Sequence, residues 1–120
     1  MAAETVHFVV SLNVHEGKLA AFEETAKAMT AGVQKEQGAR GYEWYYSADR
    51  KSWRLVETYV NAEATLAHCT GPVVRELVPK LLELSSVTAF EVYGDPGAEV
   101  AAMLAGFGAA IFSHGQGLGR

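Results

Sequence analysis

Cysteine is almost missing from this chain. Of 120 residues only Cys69 carries a thiol, so no internal disulfide framework can form and a packed core has to hold the fold. That scarcity fits a reducing, cytoplasmic setting. An excess of basic charge is missing too: ten Lys and Arg face fourteen Asp and Glu, for a net charge of −4. Lys35, Arg40, Arg50, Lys51 and Arg54 are interleaved with Glu36, Glu43, Asp49 and Glu57 rather than gathered in a stripe. Without a basic stripe there is no electrostatic footprint for nucleic acid, so no nucleic-acid partner is expected. Long hydrophobic runs are also lacking. The longest, Val100 to Phe112, has about 13 residues, against the roughly 20 that a membrane-spanning helix needs. Met1-Ala2-Ala3-Glu4 has no basic stretch leading into an apolar segment, so no signal peptide is expected. His7, His15, His68 and His114 are not at metal-ligand spacings, so no metal is expected.

What remains is an ordinary globular composition, 49% apolar and 20% charged, long enough for one domain with one core. Thr5 to Val14 alternates, with Val6, Phe8, Val10, Leu12 and Val14 on one face, and so predicts a half-buried strand. Lys18 to Gln37 predicts a helix, because Leu19, Phe22, Ala26, Met29 and Val33 form one apolar stripe. Gly38 is placed to end it in a left-handed conformation. Arg40 to Ser47 and Ser52 to Val60 predict two strands joined as a hairpin through Ala48-Asp49-Arg50-Lys51. Ser86 to Tyr93 predicts the last clear strand. After it, Ala98 to Phe107 predicts a short apolar helix, and the glycines beyond predict a loose end.

The stretch from Leu55 to His68 organises the rest. It runs as a strand, turns at Asn61 and continues as a helix to about Cys69. Asn61 suits an N-cap and Glu63 suits the first turn. Thr70-Gly71-Pro72 then interrupts, and proline suits the start of a new helix whose apolar face runs from Val73 to Leu84. Glu57 and His68 are thereby placed on two elements that meet at a corner. Glu57 shares a face with Leu55 and Tyr59, where a lone buried charge would be costly, so a partner is expected: His68, Arg54 or Lys51.

The order strand-helix-strand-strand-helix-strand, with right-handed crossovers, predicts an α+β, ferredoxin-like βαββαβ fold: one antiparallel sheet with its helices on one face. Each strand also carries apolar residues on its second side, such as Val9 and Val56. A bare apolar face of that size is a liability, so a homodimer is expected.

These residues resemble the antibiotic biosynthesis monooxygenase domain, one group of the dimeric α+β barrel superfamily. The resemblance is carried by Val6 to Val14 followed by Glu16-Gly17-Lys18, by Gln37-Gly38-Ala39-Arg40-Gly41-Tyr42, and above all by Glu57-x-Tyr59 with Ala64 and Ala67-His68. It spans about residues 5 to 93, taken here as a domain of residues 1–93 with an extra C-terminal helical tail at 94–120. Two departures are visible: Tyr59 stands where the family usually has Trp, and the tail is longer than the typical domain. The haem-degrading branch uses a first-strand Asn, a third-strand Trp and a later helical His. Here Asn13 is too late in its strand, Tyr59 holds the second position and the third falls near Val78, so no haem is implied.

The resemblance implies oxidation of a quinol or polycyclic phenol by molecular oxygen with no cofactor. Such chemistry needs a dry apolar pocket, a base, and donors for the developing oxyanion. The residues implied are His68 as base or donor, Glu57 as its orienter, and Tyr42, Trp44, Trp53 and Tyr59 as walls against a small aromatic molecule. The alternative is a non-catalytic dimer that binds a small apolar ligand or serves a stress-related role, in which His68 and Glu57 only fix the corner and the aromatics are core. Cys69 reads as a small buried residue. In the tail, Met103, Leu104, Phe107, Ile111 and Phe112 pack on the partner in the favoured reading and close over the pocket as a lid in the other.

Overall fold

Alternation and helical periodicity translate directly into the element order. The computed structural model describes residues 4–119; the Met1-Ala2-Ala3 stretch used above for the signal-peptide reading lies outside the described residues. Strand β1 (Val6–Val14) leads to helix α1 (Leu19–Val33), the hairpin β2 (Ala39–Tyr46) and β3 (Ser52–Tyr59), helices α2 (Ala62–Cys69) and α3 (Pro72–Leu84), and β4 (Ser85–Tyr93). The sheet order of these strands is β2-β3-β1-β4, each pair antiparallel, and a fifth strand lies beyond β4. This is the ferredoxin-like α+β arrangement. Val10, Leu12, Trp53 and Leu55 on one sheet face pack against Phe22, Met29 and Val33 of α1 and Val73 and Leu81 of α3. No helix among the described residues is long and apolar enough to cross a membrane.

Four details differ from the sequence expectation. Helix α1 stops at Val33, short of Gln37, and the next amides tighten: Lys35 N donates to Gly32 O and Glu36 N to Val33 O. A short-range turn of this kind often closes a helix. Gly38, expected as a left-handed stop, is not among the glycines with positive φ. Its role is closeness, because a Cβ there would lie 2.3 Å from the Cβ of Ala64 on α2. In β4, strict alternation groups Val87 with Ala89 and Glu91. A register shift opposite Ser11 and Leu12 instead brings Val87 to the side of Phe90 and Val92, because a bulge moves side chains across the sheet.

The fourth difference is the tail. Beyond Tyr93 the expected short helix forms as α4 (Ala98–Ala105), and a strand, β5 (Ala110–Phe112), follows it where a loose end was expected. Strand β5 pairs in parallel with β4, and Gly94 N donates to Phe112 O at 2.8 Å. Val100 and Leu104 of α4 are buried against Phe8, Tyr59, Cys69 and Val92.

Candidate functional site

The expected strand-to-helix corner forms. Asn61 Oδ1 accepts from Ala64 N at 2.8 Å, and Thr65 Oγ1 donates to Asn61 O at 2.8 Å, which pins the first turn of α2. At the other end of the same helix His68 lies in the last turn, where the helix dipole favours a positive charge. Glu57 and Tyr59, two apart on β3, project to the same side and meet it there.

Four side chains make a chain of contacts. Tyr59 Oη donates to Glu57 Oε1 at 2.5 Å. Glu57 Oε1 lies 3.5 Å from His68 Nε2. His68 Nδ1 lies 2.8 Å from Glu36 Oε1. The Tyr59 ring covers the imidazole, with centroids 5.0 Å apart, and Tyr42 flanks it at 6.0 Å. His68 and Glu57 are each 4% exposed, whereas Glu36 sits at the rim with 21% of its side chain exposed. Glu36 comes from the tightened turn after α1, and Gly38 holds that turn against α2.

Burial dominates the electrostatics. It pushes the Glu57 carboxyl above the usual carboxylate range, against the opposing pull of His68 and the Tyr59 hydrogen bond. Tyr42 and Tyr59 are raised by burial first and then by Glu57, so both phenols stay protonated. Cys69 is pushed up to about 12, again by burial first and then by Glu57 and Glu36. Its thiol is therefore not a nucleophile at neutral pH.

A cavity of about 180 Å³ opens beside this chain. Phe8, Val10, Leu55 and Phe90 form its sheet wall; Val74, Val78 and Leu81 form its helix wall. Met103, Leu104 and Phe107 roof it from the tail. Tyr42, Glu57 and His68 supply the polar end. A mostly apolar cavity with a few convergent polar groups is the usual form of a small-molecule site. Among the described residues no group of three or more His, Cys, Asp and Glu side chains is arranged to hold a metal ion.

The residues expected at the site separate into two groups. His68, Glu57 and Tyr42 reach the cavity. Tyr59 is fully buried behind them, as the partner of Glu57 and a cover for His68. Trp44 and Trp53 lie elsewhere, packed on Phe22 with centroids at 5.9 and 5.0 Å. Their indole N–H groups donate to Thr30 Oγ1 and Arg50 O, both at 2.8 Å. Of the partners expected for Glu57, His68 is present, and Tyr59 adds a donor that was not foreseen. Glu36 was missed altogether. Its one sequence cue is its place two residues before Gly38, and that cue gives no partner. Met29 was not foreseen as a cavity wall, whereas Met103, Leu104 and Phe107 lie over the cavity as in the second of the two readings of the tail.

MupZ from Pseudomonas fluorescens superposes with a TM-score of 0.86 at 22% identity, over 98% of this chain and 95% of that one. A conserved protein of unknown function from Bacteroides thetaiotaomicron gives 0.69 at 27% identity, over 75% and 96%. SnoaB, a cofactor-independent oxygenase from Streptomyces nogalater, gives 0.69 at 20% identity, over 80% and 97%. No curated protein matches the sequence. The family model for antibiotic biosynthesis monooxygenases matches residues 5–80, which hold Glu36, Tyr42, Glu57, Tyr59 and His68, and the chain belongs to that family.

Proposed function

We propose that this protein is a cofactor-independent monooxygenase acting on a phenolic or quinol-type aromatic held in the apolar cavity. The observation that carries the reading is the placement of His68, Glu57 and Tyr42 together at one end of an otherwise apolar void. A flat aromatic lies between Phe8 and Phe90 on one side and Val78 on the other, with its hydroxyl toward His68. His68 takes the phenolic proton, and the electron-rich phenolate reduces molecular oxygen. The oxygen adds to a ring C–H carbon para to the hydroxyl, forming a peroxide there. The O–O bond then breaks. One oxygen atom stays on the ring as a carbonyl, the other leaves as water with the two hydrogens of the C–H and O–H bonds, and the substrate supplies all the electrons. Tyr42, held protonated, donates to the developing oxyanion, and the apolar walls strengthen each of these polar contacts.

The test is oxygen uptake with a panel of one- to three-ring phenols and quinols. His68→Ala is expected to lower turnover about 10²–10⁴-fold, the range for a general base. Equal turnover in the two proteins would remove His68 from the reaction. The volume, below the roughly 300 Å³ where drug-sized sites begin, favours small members of the panel. It equally favours the rival reading, in which a small apolar molecule binds without chemistry; binding with no oxygen uptake across the panel would decide for that reading.

We further propose that the sheet face turned away from the helices meets a second copy. Val9 and Val56 are half-buried there within one chain, Tyr45 is 57% exposed and Tyr93 37% exposed. Light scattering of the purified protein should give about twice the mass of one chain, as for a two-fold dimer; a single-chain mass would exclude the pairing.

A further inference from the structure

We propose that Glu36 is the positioning residue of this site: its carboxylate holds the His68 proton on Nδ1 and so keeps Nε2 unprotonated on the Glu57 side, where the cavity lies. The inference rests on the reading of His68 as the base and assigns a role to a residue that the reading does not use.

A neutral imidazole carries one N–H, and the partner of one nitrogen decides which nitrogen holds it. Two carboxyl groups compete here. Glu36 Oε1 is 2.8 Å from Nδ1, a full hydrogen bond, whereas Glu57 Oε1 is 3.5 Å from Nε2, at the edge of contact. Glu57 Oε1 already accepts the Tyr59 hydroxyl at 2.5 Å, and burial favours its neutral form, which makes it the poorer acceptor. The other groups around the ring do not alter the choice. Tyr59 and Tyr42 present ring faces or edges to the imidazole, and Cys69 is a neutral thiol. Glu36 is itself tethered by its backbone, through Glu36 N to Val33 O at 2.8 Å and Ala39 N to Glu36 O at 3.2 Å. The carboxylate therefore acts from a fixed turn rather than from a mobile side chain on a helix. It meets the ring at Nδ1, whereas Glu57, which lines the cavity, faces Nε2.

The test is imidazole ¹⁵N NMR of the whole chain, with the His68 signals assigned by their loss in His68→Gln. Wild type should show His68 as the Nδ1–H tautomer. Glu36→Ala should move it toward Nε2–H, Glu36→Gln should give a mixture, and Glu36→Asp should restore part of the wild-type pattern. An Nε2–H tautomer in wild type would overturn the proposal whether or not any variant folds. So would an unchanged tautomer in Glu36→Ala and Glu36→Gln. In the oxygen-uptake assay Glu36→Gln should lower kcat about 10- to 100-fold, as loss of an imidazole's outer partner does at metal centres, with KM nearly unchanged. If wild type consumes no oxygen with any phenol, the function reading fails, while the tautomer measurement still decides the role of Glu36.

Discussion

The helix-facing side of the sheet has two ends built from similar side chains with opposite results. At the hairpin end Trp44 and Trp53 pack on Phe22, and Tyr46 packs on Trp53 with Arg50 stacked over it at 4.6 Å. Phe22 is fully buried there. At the corner end Tyr42 and Tyr59 gather around His68 instead, and a void remains. In each case an aromatic sheet face meets one ring from a helix. Where the central ring is apolar the space closes and gives stability. Where it is an imidazole flanked by two carboxyl groups, the space stays open as a cavity. Aromatic content alone does not distinguish a core from a pocket; the partner at the centre does.

The largest expected effect is on the closed end. Phe22→Ala should cost about 3–5 kcal/mol in chemical unfolding, the range for a fully buried aromatic. His68→Ala should cost only about 1–3 kcal/mol, the penalty for buried polar groups losing partners, while removing most of any turnover. If His68→Ala destabilises as much as Phe22→Ala, the corner is core and the distinction between the two ends fails.

A smaller effect separates the ends by pH. Burial raises the Glu57 carboxyl in the folded protein. A group raised in this way supports folding while it is protonated. Its contribution is complete below the unfolded carboxyl value and is lost as pH rises through the raised folded value. The Tm of wild type should therefore fall across that window relative to Glu57→Gln, whose side chain stays neutral throughout. Parallel Tm–pH curves for the two proteins would show that Glu57 is not held neutral by its surroundings.

Much of this was readable from residues alone. Alternation in β1 and β3, the Asn61 cap and Pro72 located the elements, because each depends on neighbours in sequence. That Glu57 needs a partner followed from its burial, which left His68, Arg54 and Lys51 open, and the structure pairs it with His68 and Tyr59. Glu36 was not readable, since its approach to His68 depends on where α1 stops and on how closely Gly38 lets α2 come. The fates of Trp44 and Trp53 depended on Phe22 filling their end, which is a matter of volume rather than pattern. Strand β5 is three residues long and pairs with a strand already satisfied by alternation, so no local signal marks it.

The roof of the cavity deserves a last consequence. Met103, Leu104 and Phe107 come from a segment beyond the residues 5–80 that carry the family signature. Helix α4, which bears Met103 and Leu104, and the turn after it, which bears Phe107, lie between Gly97 and Gly108, both in the left-handed region, and Met103 and Phe107 are 43% and 47% exposed. The polar end and the roof of the cavity thus lie in different parts of the chain. Drift or exchange in the last quarter of the chain can redraw which molecules are admitted while the Glu36–His68–Glu57 line is left untouched. New specificities on this scaffold are then to be sought by varying the tail, and new chemistries by varying the corner.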